Sequence, residues 1–195
     1  MACEKMNEKL EKILTTILLI ILILCIIGTI YIFTHPKQME YFTEFYILGP
    51  EGKAYDYPTE LYVNETGSVI IGIVNHEGKV MNYTVEIWLV NGTYENGSLI
   101  IHNMYFLDKF NVTLPPKPIS IEKWEPQFEK RYNFTISKPG NYQLWFLLFK
   151  GNYPKLPFKL VKWKDYANTT AKERIYWAEE NKILSLKLNI KVKEI

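Results

Sequence analysis

The chain divides into two parts by the spacing of its hydrophobic residues. Residues Ile13–Phe33 form an unbroken run of 21 residues without a charge, ILTTILLIILILCIIGTIYIF. A helix rises about 1.5 Å per residue, so a run of this length matches a hydrocarbon layer about 30 Å thick. The pattern predicts a single transmembrane helix over residues 13–33, preceded by an N-terminal segment of residues 1–12 and followed by a stalk of residues 34–41.

From residue 42 onward, apolar and polar residues alternate in short stretches that Gly, Asn and Pro separate. Alternation with a period of two is typical of strands that bury one face. The predicted strands cover Phe42–Leu48, Glu60–Val63, Ser68–Val74, Asn82–Val90, Ser98–Tyr105, Phe110–Leu114, Tyr132–Ile136, Tyr142–Phe149 and Leu184–Val192. So many short strands with turn residues between them indicate a β-sandwich domain over residues 42–195.

Two stretches favour an immunoglobulin-like sandwich. In KPGNYQLW, Tyr142 precedes an apolar strand as in a tyrosine corner, and Leu144 takes the position of the second cysteine of an antibody domain. The last strand, LSLKLNIKV, carries Leu, Ile and Val on one face and Lys on the other. The Asn- and Gly-containing connections at 75–78 and 96–97 are predicted hairpins. The predicted fold is mainly β, an immunoglobulin-like sandwich with one inserted helix, behind one transmembrane helix.

One strand breaks the alternation and needs a cover. In YQLWFLLF, Trp145, Leu147 and Phe149 make the second face apolar as well. The insertion at residues 151–182 is the predicted cover, with a helix over about 170–182. That helix is predicted to start at a capping box, Thr170-x-x-Glu173, and to carry Ala171, Ile175 and Ala178 on one stripe. The alternative is an exposed apolar patch that docks a partner.

The lysines beside the apolar run predict its orientation. Lys5, Lys9 and Lys12 precede the run and only Lys37 follows closely, so the N-terminus is expected in the cytoplasm and the domain outside the cell membrane. The run ends on bulky residues without an A-x-A cleavage pattern, which favours an anchor over a signal peptide. Both cysteines precede residue 34, so the predicted external domain contains no disulfide.

Acceptor triplets for N-glycosylation, Asn-x-Ser/Thr, are frequent after the apolar run and absent before it. The seven acceptors are Asn64, Asn82, Asn91, Asn96, Asn111, Asn133 and Asn168. In the predicted strands the alternation puts Asn82, Thr84 and Glu86 on the solvent side, and likewise Asn111 and Asn133. Several glycosylated sites are therefore predicted. The alternative is that alternating strands with frequent Thr produce such triplets as a by-product.

A turn after the first predicted strand carries a candidate recognition loop. Gly49-Pro50-Glu51-Gly52 is predicted to be a β-turn in which Pro fixes φ, which gives the stretch a structural role. Loops on a rigid scaffold also carry binding residues with high frequency. The candidate loop residues are Glu51, Lys53, Tyr55, Asp56 and Tyr57.

Three stretches resemble a known family. TEFYILGPEGKAYDYP at 43–58, GIVNHEG at 72–78 and NYTVEIWL at 82–89 are similar to archaeal membrane proteins grouped as domain-of-unknown-function family 1616, with weaker similarity through KPGNYQLWFLLFK. The resemblance implies an archaeal surface protein without an assigned activity. It also implies a departure, because many relatives carry several membrane helices and this chain has one apolar run.

No motif for catalysis, a metal or a cofactor is found. His76-Glu77 is the most suggestive pair, but it lacks companions at ligand spacing and is interpreted as part of a solvated hairpin. A glycosidase pair of carboxylates is defined by a distance in space and cannot be read from the sequence. The chain is therefore predicted not to be an enzyme and to need no cofactor. A net charge of +2, without any nucleic-acid-binding motif, argues against nucleic acid as a partner.

The segment YPKLPFKLVKWK, Tyr153–Lys164, mixes lysines with aromatic residues. Its basic residues are Lys155, Lys159, Lys162 and Lys164. The composition suits anionic glycans or lipid head groups, and the alternative is the solvated face of a strand.

These patterns together predict a membrane-anchored extracellular glycoprotein. It is expected to bind a protein or glycan partner without catalysis, or to form a structural part of the archaeal envelope or of a membrane complex. The alternative function is a carbohydrate-active accessory that binds or processes envelope glycans. Exposed aromatic rings beside carboxylates would favour glycans, and a flat apolar patch would favour a protein partner.

Overall fold

A computed structural model describes residues 2–34, 41–119 and 124–194. The chain forms two compact units, Met1–Glu40 and Tyr41–Ile195. Most of the predicted stalk, residues 35–40, lies outside the described residues.

The first unit contains one helix, α1, over Ala2–Thr34. It starts well before the predicted position because the preceding Glu, Lys, Met and Leu residues are good helix formers. The 22 residues Glu11–Ile32 have a mean hydropathy of 3.1 and are long and apolar enough to cross a membrane. Thr29 Oγ1 donates to the Cys25 carbonyl at 2.8 Å, so its hydroxyl is satisfied within the helix.

The second unit is a two-sheet β-sandwich. Its strands are β1 Thr43–Leu48, β2 Glu60–Tyr62, β3 Thr66–Asn75, β4 Met81–Glu95, β5 Ser98–Leu114, β6 Phe128–Thr135, β7 Gly140–Lys150 and β8 Leu184–Lys193. A three-stranded sheet has the order β1-β3-β6, and a five-stranded sheet has the order β2-β8-β7-β4-β5. With β1, β3 and β6 as strands A, B and E, and β4, β7 and β8 as C, F and G, this is an immunoglobulin-like arrangement, as predicted.

Two predicted strands, 98–105 and 110–114, are one continuous strand, β5. The gap between the two predictions, residues 106–109, is part of the strand, since Asp108 and Lys109 pair with β4 opposite Ile87 and Glu86. The pairing shifts by one residue between Ile87 and Trp88. A β-bulge therefore accommodates the irregularity without ending the strand.

One of the two predicted hairpins is wrong. Asn96-Gly97 joins β4 to β5, with positive φ values of 49° and 78° as a tight hairpin turn requires. The stretch 75–78 instead connects the two sheets, since β3 and β4 belong to different sheets. The buried Asn75 side chain holds this crossing by donating to the carbonyls of Lys79 and Leu114 at 2.8 and 2.9 Å.

The main core lies between the two sheets and follows the predicted alternation. Val85 and Ile87 of β4, Leu144 of β7 and Ile71 of β3 are fully buried in it. Alternate residues of β8 also enter this core, while its lysines stay outside. The Tyr142 ring is buried, but its hydroxyl forms no hydrogen bond with the described residues. The hydrogen bond that defines a tyrosine corner is thus absent from this part of the chain.

A second core covers the outer face of the five-stranded sheet. It is formed by the strap, our name for residues 151–182, which packs on side chains of β4, β5 and β7. Trp145 is only 2% exposed, and Ala171, Ile175 and Ala178 are buried with it. The prediction that the insertion packs on the sheet is confirmed, and the alternative of an exposed apolar patch at Trp145 is wrong.

The strap helix is shorter than predicted. A 3-10 turn over Thr170–Lys172 leads into α2, Glu173–Glu179, which ends three residues before the predicted position. The capping residue is Thr169, whose Oγ1 accepts from the Ala171 N–H at 3.2 Å. The predicted capping box from Thr170 is therefore wrong by one residue, because the first turn is a 3-10 turn.

Candidate functional site

The outer face of the three-stranded sheet presents two aromatic rings among charged groups. Tyr46 lies on β1 and faces outward, because its neighbours Phe45 and Ile47 pack on the main core. It stands opposite Gly72 of β3, which stands opposite Glu129 of β6. We call the outward set Tyr46, Trp124, Glu44, Glu129 and Arg131 the aromatic face.

Gly72 allows the Tyr46 ring to lie across the sheet. A Cβ at Gly72 would be 2.0 Å from the Tyr46 ring, so any other residue at position 72 would force the ring to move. The Tyr46 hydroxyl reaches over this glycine and donates to Glu129 Oε1 at 3.1 Å. Burial raises the pKa of Tyr46, and the charge of Glu129 raises it further. The phenol therefore stays protonated and serves as a hydrogen-bond donor.

Trp124 stands almost at right angles to this ring. The two ring centroids are 5.5 Å apart with an interplanar angle of 65°. The indole Nε1 donates to Glu44 Oε2 at 3.0 Å, yet 56% of Trp124 is exposed. The indole N–H is thus held by Glu44 while more than half of the Trp124 side chain remains accessible, a geometry suited to contact with a partner.

His76 positions the Glu44 carboxylate that binds the indole. Its Nε2 lies 2.9 Å from Glu44 Oε1 and its Nδ1 lies 2.7 Å from the Lys117 carbonyl. His76 is buried, so the interpretation of His76-Glu77 as part of a solvated hairpin is wrong. Among the described residues, no three His, Cys, Asp or Glu side chains lie close enough together to hold a metal ion.

Arg131 joins the aromatic face to the candidate recognition loop. Its guanidinium donates to Ser68 Oγ at 3.2 Å and to the Pro50 carbonyl at 2.8 Å. The predicted turn is present, since the Gly52 N–H donates to the Gly49 carbonyl at 3.0 Å. The loop therefore begins at the end of the same sheet face.

The loop residues differ in their surroundings. Glu51, Lys53, Tyr55 and Asp56 are exposed, and the Lys53 ammonium lies 5.4 Å from the centre of the Tyr55 ring. Tyr57 is half-buried, packs on the main core and donates to the Ile47 carbonyl at 3.0 Å. Tyr57 thus anchors the loop, and the other four residues are available for contacts.

The acceptor asparagines are spread over the surface of the second unit. Six are exposed: Asn64, Asn82, Asn96, Asn111, Asn133 and Asn168. Asn91 is half-buried and donates its side-chain amide to the Asn141 carbonyl at 2.8 Å. Asn133 lies beside Ser68 and borders the aromatic face. Asn91 is therefore the least accessible acceptor.

Glu86, predicted to face solvent, is instead fully buried beneath the strap. The parity was correct, since Glu86 points away from the main core, but the strap covers that face. Trp88 Nε1 donates to Glu86 Oε2 at 3.0 Å, Arg174 Nε lies 3.3 Å from the same oxygen, and the Tyr153 hydroxyl donates to Oε1. This buried cluster fastens the strap to the sheet. Glu86 and Arg174 are 88 positions apart in the sequence, so no local pattern could reveal their pairing.

The basic segment is irregular rather than a strand, and it forms one wall of a groove between the strap and β5. The groove has a volume of about 460 Å³. Lys155, Lys159 and Lys162 line it together with Lys109 of β5, whereas the Lys164 ammonium lies over the ring of Tyr166, 5.6 Å from its centre. The structure thus brings three of the four predicted basic residues together.

Asp165 pins the strap to the edge of β5. Its Oδ1 accepts from the N–H groups of Met104 and Ala167 at 3.0 and 2.9 Å, and its Oδ2 accepts from the Asn103 amide at 2.6 Å. Desolvation by neighbouring atoms alone would raise the pKa of Asp165, but these donors stabilise the carboxylate and hold the pKa below its ordinary value. The edge of β5 beside Met104 is therefore paired.

Sequence reasoning missed the aromatic face. Tyr46 looked like an ordinary residue of an alternating strand, and Trp124 lies in an irregular segment without a pattern. One signal was present in SVIIGIV, where an isolated glycine in an apolar strand indicates a close approach by another group. The sequence does not identify which group makes this approach.

A family described as a domain of unknown function, DUF1616, matches residues 36–174, and the chain belongs to it. No curated protein matches the chain.

Three solved structures are similar in outline to the chain. The CARDB domain of a Pyrococcus furiosus protein, solved with two metal ions, has a TM-score of 0.40 at 14% identity, over 80% of this chain and 97% of its own. A chain of the complex between zinc 2-glycoprotein and prolactin inducible protein from human seminal plasma has a TM-score of 0.42 at 8% identity, over 81% and 100%. The sporulation control protein Spo0M of Bacillus subtilis has a TM-score of 0.40 at 7% identity, over 77% and 49%.

Proposed function

We propose that the chain is a single-pass glycoprotein of the archaeal cell membrane, with its N-terminus in the cytoplasm and its immunoglobulin-like domain outside. The domain acts by non-catalytic binding, as a recognition or structural component of the envelope or of a membrane complex. The aromatic face is the observation that carries this proposal. Trp, Tyr and Arg are enriched at the centres of protein interfaces. In the aromatic face Trp124 and Arg131 are exposed and Tyr46 is half-buried.

The orientation is supported by the position of the charges and of the acceptor asparagines. Lys5, Lys9 and Lys12 precede the apolar span, and every Asn-x-Ser/Thr triplet follows it. Six of the seven acceptors are exposed. An external location makes these acceptors accessible to glycosylation.

Protease treatment of intact cells tests the orientation. We expect added protease to remove the domain from intact cells, and mass spectrometry of the native protein to find glycans at several exposed acceptors and least at Asn91. A domain protected in intact cells but digested after lysis would contradict the orientation. If all seven acceptor asparagines are unmodified, the proposal that the protein is glycosylated is contradicted.

Two tryptophans allow a matched test of the aromatic face. Trp124 belongs to this face, and Trp163 is similarly exposed, at 48%, but lies on the strap. We expect Trp124→Ala to reduce the crosslinked partners recovered from native membranes, while Trp163→Ala leaves the recovery unchanged. Equal recovery with the wild-type chain and Trp124→Ala would exclude this face as the binding surface.

Glycan binding is the second candidate, and the juxtaposition of rings and carboxylates favours it, because the exposed Trp124 ring and the half-buried Tyr46 ring both lie beside a carboxylate. Trp124 contacts Glu44, and Tyr46 contacts Glu129. Ring faces can stack on the apolar side of a sugar while carboxylates accept from its hydroxyl groups. Both oxygens of Glu44 already have partners, in His76 and Trp124, which supports binding over hydrolysis by this carboxylate.

Fluorescence titration with envelope oligosaccharides distinguishes the two candidates. If a glycan binds, tryptophan emission of the full-length chain should change on titration, and Trp124→Ala should abolish the change while Trp163→Ala keeps it. The absence of any change with the wild-type chain would remove the glycan candidate and leave a protein partner. Release of shorter sugars that stops in Glu129→Gln would contradict a non-catalytic role.

A further inference from the structure

The groove between the strap and β5 carries an excess of positive charge. Four lysines and one aspartate line it, a net charge of +3. Lys162 is paired with Asp108, with 2.9 Å between Nζ and Oδ1, and the Lys109 ammonium lies 4.7 Å from the centre of the Tyr153 ring. Lys155 and Lys159 are exposed and have no ionic partner among the described residues. Two cationic groups at one groove are thus available for an anion.

The floor of the same groove is apolar. Phe106 of β5 and Leu156, Phe158 and Leu160 of the strap line it and belong to the second core or pack against it. Apolar groups of a ligand that enter the groove would be stabilised in proportion to the apolar area that they remove from water. A bare inorganic ion would leave this floor unused.

We propose that this groove binds a small anionic amphiphile, a molecule with a phosphate or carboxylate head beside an apolar group. The head lies between the Lys155 and Lys159 ammonium groups, since Lys acts as a point charge that suits such heads. The apolar group lies on Phe106, Leu156 and Phe158. The volume of about 460 Å³ falls in the range of sites for single small ligands rather than macromolecules.

This site is separate from the aromatic face. It lies on the outer side of the five-stranded sheet, whereas the aromatic face lies on the three-stranded sheet. The test below uses the purified chain and needs neither the orientation in the membrane nor a partner. The groove and the proposed function can therefore fail independently.

Calorimetric titration of the full-length chain in discs of zwitterionic lipid tests the proposal with three probes: hexyl phosphate, inorganic phosphate and hexanol. We expect hexyl phosphate to bind more tightly than either of the other probes, and to bind less tightly as salt is raised, because the lysines are exposed. Inorganic phosphate binding as tightly as hexyl phosphate would overturn the role of the floor. Hexanol binding as tightly would overturn the role of the lysines.

Two double variants with equal charge change locate the site. Lys155→Gln/Lys159→Gln removes the free cations of the groove, and Lys164→Gln/Lys172→Gln removes two exposed lysines elsewhere on the strap. We expect the first pair to weaken hexyl phosphate binding about tenfold or more, as for lost contacts to a charged group, and the second to leave it unchanged. Equal effects of the two pairs would overturn the proposal.

Native mass spectrometry identifies the source of the ligand. The chain is released from discs that contain phosphatidylglycerol. One lipid retained by the wild-type chain but not by Lys155→Gln/Lys159→Gln supports the site and identifies its ligand as a membrane lipid. If no lipid is retained but hexyl phosphate binds tightly, the site is supported and its ligand is a soluble amphiphile. A lipid retained equally by both chains counts against the groove.

Discussion

The two sheets of the domain differ in the outer face: one is covered by the strap and the other is open to solvent. On the five-stranded sheet, Trp88, Trp145 and Leu147 point away from the main core, and the strap buries them. On the three-stranded sheet, the outward positions hold Glu129, Arg131 and two aromatic rings, which remain exposed or half-buried. An apolar outer face requires a cover from the same chain, whereas a mixed face of rings and charges is stable in water and available to a partner.

Removing one tryptophan from each face gives the sharpest test of this difference. Trp145→Ala should lower the free energy of unfolding by about 3–5 kcal/mol, because it leaves a cavity beneath the strap. Trp124→Ala should change it by less than about 1 kcal/mol, because this indole is largely exposed. Urea unfolding of the full-length chain, followed by circular dichroism, measures both values. Similar losses for the two variants would show that the faces do not differ as described.

The buried ion pair tests how the strap is held. Arg174→Ala should cost about 3–5 kcal/mol, because the Glu86 carboxylate would stay buried without its cation. In the double variant Glu86→Gln/Arg174→Met no charge remains, and most of the loss should be recovered. Unfolding free energies and proteolysis within residues 151–182 report the effect. A double variant as unstable as Arg174→Ala would contradict the electrostatic explanation.

Low pH should weaken the attachment of the strap to β5, because Asp165 becomes protonated. The pKa of this carboxyl is lowered in the folded chain, so its contribution is complete above the ordinary aspartate pKa of about 3.9 and is lost as the pH falls through the folded value. Asp165→Asn should cost about 1 kcal/mol at neutral pH, for weakened hydrogen bonds, and less in acid. Hydrogen exchange of the strap amides at several pH values, compared between the two chains, measures this. A constant difference across pH would contradict the assignment.

A methyl group on the open face should change binding more than stability. Gly72→Ala places a Cβ in the position of the Tyr46 ring, which must swing away. The loss of stability should stay below about 1 kcal/mol, because the displaced atoms are the end of a side chain and alanine is favoured over glycine in a strand. Partner or glycan binding should fall. Tyr46→Phe keeps the ring and should retain binding, whereas unchanged binding in Gly72→Ala would contradict a role for the ring's position.

Several structural features could be predicted from residue types alone. The alternation in β4, β7 and β8 identified the residues of the main core, since successive side chains of a strand point to opposite faces of the sheet. Trp145, Leu147 and Phe149 showed that a second face needed a cover, and the only convincing helix of the insertion provides part of it. The turn at 49–52 also followed from its sequence, and four of the five candidate loop residues after it are exposed, all but Tyr57.

Three of the errors arose where a distant segment decides the outcome. Glu86 was expected in water because nothing near it in sequence indicates that Arg174 and Tyr153 pack over it. The connection at 75–78 resembled a hairpin locally, but its flanking strands pair with other partners. The aromatic face joins Tyr46 to Trp124, two residues far apart in the sequence.

The sequence by itself determined the apolar span, the position of most strands, the inward side of β4, β7 and β8, and the need for a cover over one sheet. These are local properties, fixed by the spacing of apolar residues over a few positions. The tertiary structure alone decided how the strap is fastened to the sheet, which charges are buried, and which rings and lysines share a site. Those properties depend on contacts between segments far apart in the chain, and residue spacing does not encode the path that brings the segments together.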